Sequence, residues 1–111
     1  MSIRLTVPSI LVGLLAGVSQ ASAQAPSMHW GSDTRPIAAS ECIRRAQEII
    51  GVKGFQVTTA GPTVHGQGPN VAVLVECVSI PQGTYILVVG ASPDSEIAER
   101  TRNEVRIAVM R

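Results

Sequence analysis

Aromatic side chains are scarce in this chain. Trp30, Phe55 and Tyr85 are the only three in 111 residues. Single-stranded nucleic acid is gripped by stacking bases on aromatic platforms, and a formal charge of +1 leaves no electrostatic footprint for a phosphate backbone. Nucleic acid is therefore not an expected partner. Histidine and cysteine are equally thin, with two of each. His29 and His65 are far apart in sequence, and no pair of ligands has a spacing that suits a metal ion. No metal site and no cofactor are expected. A Gly-x-Ser-x-Gly elbow is absent, and Gly66-Gln67-Gly68-Pro69 lacks the following helix N-terminus that a phosphate loop needs. The eight carboxylates sit mostly beside basic neighbours on predicted helices, so no pair stands out for glycoside chemistry. No catalytic residue is nominated, and an enzyme is the less favoured class. The length suits one domain, and a hydrophobic content of 45% is too high for a disordered chain.

What is present begins at the N-terminus. Arg4 supplies a positive start, Leu5 to Val18 form an apolar stretch, and Ala21-Ser22-Ala23 is a small-x-small cleavage pattern. Residues 1–23 are expected to be a signal peptide, with cleavage after Ala21 or Ala25 as alternatives. The apolar stretch is shorter than the ~20 residues of a spanning helix, and no later run could cross a membrane. The expected location is periplasmic or secreted. Removing Arg4 leaves eight basic and eight acidic residues, a net charge of zero.

A mature chain that starts near Gln24 has a small core, and small domains bury a modest share of their surface. Cys42 and Cys77 are the expected staple, because an exported chain with an even cysteine count favours a disulfide. Closing a loop of this length is worth about 3–4 kcal/mol in the chain-entropy picture.

Residues 24–39 are rich in Pro, Ser, Gly and Asp and read as a loosely ordered leader. Trp30 lies in it. A large aromatic is rarely left in water, so Trp30 is expected to strap over the core; the sharper reading makes it an exposed anchor for a partner. Residues 40–111 are expected to form one α+β domain. Cys42, Ile43, Ala46, Ile49 and Ile50 recur at helical spacing over 40–50, with Ser40 as N-cap and Gly51 as stop. Residues 55–60, 71–79 and 84–91 read as strands, with Pro81-Gln82-Gly83 as a turn. The link 61–70 could itself hold a short strand or bulge. A last helix runs from about Pro93, capped by Ser92, with pairs Glu96–Arg100 and Glu99–Arg102 and an apolar side of Ile97, Thr101, Val105 and Ala108. The expected fold is an α-β-β-β-α two-layer sandwich: a three-stranded antiparallel meander with both helices on one face.

The leader, the helix Glu41-Cys42-Ile43-Arg44-Arg45-Ala46, then Val64-His65-Gly66 and Val73-Leu74-Val75-Glu76-Cys77, with an apolar strand ending in Gly90, resemble a type of small uncharacterised bacterial exported protein. In that type a helix cysteine and a strand cysteine frame a β-hairpin, and a terminal helix follows. The resemblance covers about residues 40–111. It implies an envelope or secreted domain and carries over no catalytic residue.

Two functional expectations follow. The first is a protein-interaction or binding module of the bacterial cell envelope, whose partner is an envelope protein or a second copy. Its motive is apolar surface in excess of one covered sheet face: Ala72, Leu74 and Val78 point away from the cysteine side, and strand 84–91 is apolar on both sides. Trp30 and Tyr85 are the candidate contacts. The alternative is a small ligand-binding protein or enzyme with a site at the 61–70 loop around His65. Arg44, Arg45, Arg100, Arg102 and Arg106 interleave with acids and read as a solvated, salt-bridged face.

Overall fold

The computed structural model describes residues 26–111. The expected signal peptide, residues 1–23, and its cleavage site lie outside the described residues. Five strands and two helices follow in the order β1 (Ser27–Arg35), α1 (Ala39–Val52), β2 (Gln56–Ala60), β3 (Thr63–Gln67), β4 (Ala72–Ile80), β5 (Gly83–Ser92) and α2 (Ser95–Met110). The strands form one sheet in the order β1-β5-β4-β3-β2, and every neighbouring pair is antiparallel. The protein is α+β with two helices over an antiparallel sheet.

The three-stranded meander is corrected to five strands. β2 to β5 form a meander, and β1 closes onto β5 from the other side. Two strands account for the difference. Residues 24–39, read as a loosely ordered leader, contain β1 from Ser27 to Arg35. Its inward positions are His29, Gly31 and Asp33 rather than apolar residues, so the alternation that marks a strand is muted. His29 meets Ser95 of α2, and Gly31 and Asp33 face Arg102 and Arg106, in place of a hydrophobic core. Residues 61–70, read as a link, contain β3, whose inward residues are only Val64 and Gly66.

Both helices cover the same face. One row across the sheet runs Gly66–Val73–Gly90. A Cβ on Gly66 would strike the Ile50 side chain of α1, and a Cβ on Gly90 would strike the Ala98 carbonyl of α2. Glycine at these two positions lets the helices approach the sheet closely. Between them lies the core of Cys42, Ala46, Ile50, Val64, Val73, Val75, Cys77, Ile86, Val88, Val105 and Val109, each at most 1% exposed. Such interiors are close-packed.

α1 buries Cys42, Ala46 and Ile50, one residue per turn. The helix begins one residue before the expected start, so Ser40 is not its cap: Ala38 occupies the cap position and offers no side-chain hydrogen bond. Gly51 lies inside the last turn, and the stop comes at Gly54, where φ is +91°. Opposite the core, Glu41 accepts from Arg44 at 2.8 Å and from Arg45 at 3.1 Å, and Arg44 also pairs with Glu48 at 2.9 Å.

α2 starts at a different cap from the one expected. Ser92 is the last residue of β5, where its hydroxyl donates to the Asn70 carbonyl at 2.7 Å. Asp94 caps instead, accepting from the backbone N–H of Glu96 at 2.9 Å and of Ile97 at 3.3 Å. The buried side is Ala98, Thr101, Val105 and Val109, a face rotated slightly from the one expected. Glu96–Arg100 and Glu99–Arg102 make no ion pair. Lys53 reaches Glu104 across the two helices at 3.0 Å.

The expected staple is present. A disulfide joins Cys42 of α1 to Cys77 of β4, their Cα atoms 6.0 Å apart, and both residues are buried. No described helix is long and apolar enough to cross a membrane.

Candidate functional site

β-strand side chains alternate between two faces, and the described residues cover only one of them. The uncovered face is built in rows across neighbouring strands. One row reads Trp30–Val89–Leu74–His65–Thr58, the next Ser32–Leu87–Glu76–Thr63–Ala60. On either side lie Met28–Ala91–Ala72–Gln67–Gln56 and Thr34–Tyr85–Val78. The face therefore divides. Over β1, β5 and β4 it is apolar; over β3 and β2 it is polar. Glu76 is the only carboxylate or cation among the strand residues of this face. The other charged side chains of the domain sit on the helices, in the turns beside them, or at Asp33 and Arg35 of β1.

Trp30 does not strap over the core. It stands on β1, 66% exposed, on the face away from the helices. The tryptophan belongs to an outward position of an edge strand, and burying it would require turning β1 over. Met28 is 57% exposed and Tyr85 39%. The structure thus places Trp30 and Tyr85 on one surface, on adjacent strands with one row between them, joins them to the outward Leu74, Leu87 and Val89, and adds Met28. Met28 was missed because β1 was not recognised. Its signal was the alternation Met28, Trp30, Ser32, Thr34.

His65 is not in a loop. It sits in the middle of β3 on the open face, half-buried between Leu74 and Thr58. Two shallow clefts lie elsewhere. One, of about 380 Å³, lies beside the C-terminus between Asp33, Arg35, Arg106 and Arg111. There Arg106 donates to the Asp33 carboxylate at 2.8 Å and pairs with it. The other, of about 280 Å³, lies at the start of β1 among Pro26, Pro69, Val71 and Pro93. His65 lines neither.

One nucleophile–base contact exists that spacing could not reveal. His29 Nε2 lies 2.9 Å from the Ser95 hydroxyl in the first turn of α2. A serine activated by histidine needs a third group to orient the imidazole. No described group bonds His29 Nδ1, the nearby Asp94 carboxylate is engaged in capping, and neither residue lines either of the two clefts above. The contact clamps β1 to the start of α2. Arg102 adds a second clamp by donating to the Trp30 carbonyl at 2.6 Å, while its buried Nε has no partner.

Among the described residues no group of three His, Cys, Asp or Glu side chains is placed to hold a metal ion. Glu41 carries the one strongly displaced carboxyl. Hydrogen bonds from Arg44 first, then Arg45, lower its pKa from 4.5 to about 2. It is a helix-surface ion cluster with no cavity beside it. The five arginines do not form a free basic patch: Arg44 and Arg45 pair with Glu41, and Arg106 with Asp33.

No protein-family model matches the chain, and no curated protein matches it.

Proposed function

We propose that this protein is an exported, disulfide-stapled interaction module of the bacterial cell envelope, periplasmic or secreted, that engages a protein partner through the apolar half of its open sheet face. The observation that carries the reading is the segregation of charge. One face of a single sheet holds Trp30, Met28, Tyr85, Leu74, Leu87 and Val89 around a single carboxylate, while the helical layer holds most of the charge. Isolated apolar side chains on a surface are ordinary; a contiguous apolar patch rimmed by polar residues marks an interaction site. Tryptophan and tyrosine are also the residues that dominate interface energetics. The buried Cys42–Cys77 disulfide and the signal-like N-terminus support the compartment.

The sheet edges are weaker candidates than the face. β2 has five residues, and β1 turns the charged Asp33 inward; short edges and inward charges both discourage strand addition.

The test is affinity capture from an envelope extract of the host, using the oxidised protein and a Trp30→Ala/Leu87→Ser variant of unchanged circular dichroism. A protein recovered near stoichiometry with the native chain and lost with the variant is the expected result. No recovery, or equal recovery by both, overturns it.

A further inference from the structure

The open face is matched to itself, and we infer that its occupant is a second copy of this chain, packed face to face about a two-fold axis that runs along β5. The inference rests on the reading of this face as an interaction surface.

The apolar half of the face has three strands, and β5 is its middle one. A two-fold axis parallel to β5 and lying above it exchanges β1 of one copy with β4 of the other while keeping each row at its own level. Each row then meets its own reversal. Trp30–Val89–Leu74 meets Leu74–Val89–Trp30, so the largest side chain of the face lies over an aliphatic one. Met28–Ala91–Ala72 meets Ala72–Ala91–Met28, so the long methionine enters the space above a small residue. Thr34–Tyr85–Val78 meets its reverse in the same way. The row Ser32–Leu87–Glu76 sets the Glu76 carboxylate opposite a Ser32 hydroxyl. The lone charge of the face thereby gains a hydrogen-bond donor, and it does not meet its own copy. An axis perpendicular to the strands would instead stack β1 on β1 and β4 on β4, bringing tryptophan and carboxylate towards their like. Sheets packed face to face within about 30° of alignment form sandwich cores, and an isologous two-fold contact is the commonest way for copies to associate.

Area sets the strength. Only β1, β5 and β4 overlap in this arrangement, and three strands at ~4.8 Å spacing and ~30 Å length give a plane of about 430 Å². Two copies therefore bury on the order of 900 Å², the size of weak, transient contacts rather than of permanent ones. The dimer is expected to be reversible, with a dissociation constant on the order of 10–100 µM.

The full chain, expressed with its own N-terminus and purified oxidised, is examined by sedimentation equilibrium from about 1 µM to 1 mM, with intact mass fixing its N-terminus. The native protein is expected to pass from monomer to dimer across this range. Ser32→Asp, at an exposed position, sets two carboxylates face to face and is expected to weaken the dimer at least tenfold. Adding Glu76→Lys to Ser32→Asp is expected to restore it. A native protein that stays monomeric at about 1 mM overturns the inference, as does a dimer indifferent to Ser32→Asp or a double variant that remains weak. If the protein is monomeric but still captures a different envelope protein through Trp30 and Leu87, the dimer fails and the interaction module stands. If capture fails as well, both fail.

Discussion

β5 runs through two chemically different environments at once. Thr84, Ile86, Val88 and Gly90 lie under the helices and are buried, while Tyr85, Leu87, Val89 and Ala91 point the other way and keep access to solvent. Side-chain chemistry barely differs between the two sets, since both are dominated by aliphatic residues. The difference lies in what covers them. Beneath the helices, packing, a disulfide and glycine-permitted close approach fix each residue. On the other side the same residue types have no layer of described residues above them. Hydrophobic patterning alone therefore reports that a strand is flanked by two apolar surfaces, and the described residues supply a cover for only one.

This contrast can be sharpened by substitution. The largest effect is expected at the staple. Cys42→Ser/Cys77→Ser removes the link between α1 and β4 and should lower stability by about 3–4 kcal/mol, read from urea unfolding. Next comes a neighbouring pair on opposite faces. Ile86→Ala opens a cavity in a fully buried site and should cost about 2–5 kcal/mol. Leu87→Ala should cost under about 1 kcal/mol at dilutions where the protein is monomeric. Equal losses at the two positions would mean that the open face is covered within the monomer, and the contrast would be broken. A change well below that of Ile86→Ala is expected at the start of α2, which holds the helix over β5 and β1. Asp94→Ala removes a cap that accepts two backbone N–H groups and should cost about 1 kcal/mol in thermal unfolding.

The smallest effect is electrostatic. The Glu41 carboxyl titrates at about 2 in the folded protein, below its ordinary 4.5. Its contribution is present above the unfolded pKa and is lost as pH falls through the folded one, between about 4.5 and 2. Because the cluster lies at the helix surface, the effect is expected to be slight and screened by salt. Melting temperature should fall between pH 5 and pH 2 a little more steeply in the native protein than in Glu41→Gln. Identical slopes would remove Arg44 and Arg45 from the account.

The sequence was legible wherever a residue's neighbours in space were also patterned in the chain. α1, β2, β4, β5 and α2 all came from periodicity, and the cysteine pair followed from compartment and count. β4 was read to the correct face, because Val73, Val75 and Cys77 share a parity and the disulfide fixes which side is inside. β1 was illegible because its inward side chains are His29, Gly31 and Asp33, which meet Ser95, Arg102 and Arg106 of a helix at the other end of the chain. A strand whose partners are polar and distant has the composition of a loop. β3 was only half legible: the link 61–70 was open to a short strand or bulge, but Gly66 is inward because α1 presses against it, and a glycine in sequence reads as a break. The candidate surface was legible in half. Tyr85 and the outward residues of β4 pointed to it, but Trp30 acquired its meaning only when β1 was placed beside β5.

That placement also sets an order of events. β1 is the first strand of the domain in sequence, yet Ser27 pairs with Ser92 and Arg35 with Thr84. Every other strand can pair with its immediate neighbour in the chain. Non-local pairings must meet the loop-closure entropy before any contact rewards them, and they slow folding. A chain emerging N-terminus first exposes β1 well before β5 exists to receive it, so the first strand made is the last to find its place. Until then the hairpin of β4 and β5 presents a free edge, and the row that ends in tryptophan is one member short. Completion of the surface therefore waits on the C-terminal half of the domain.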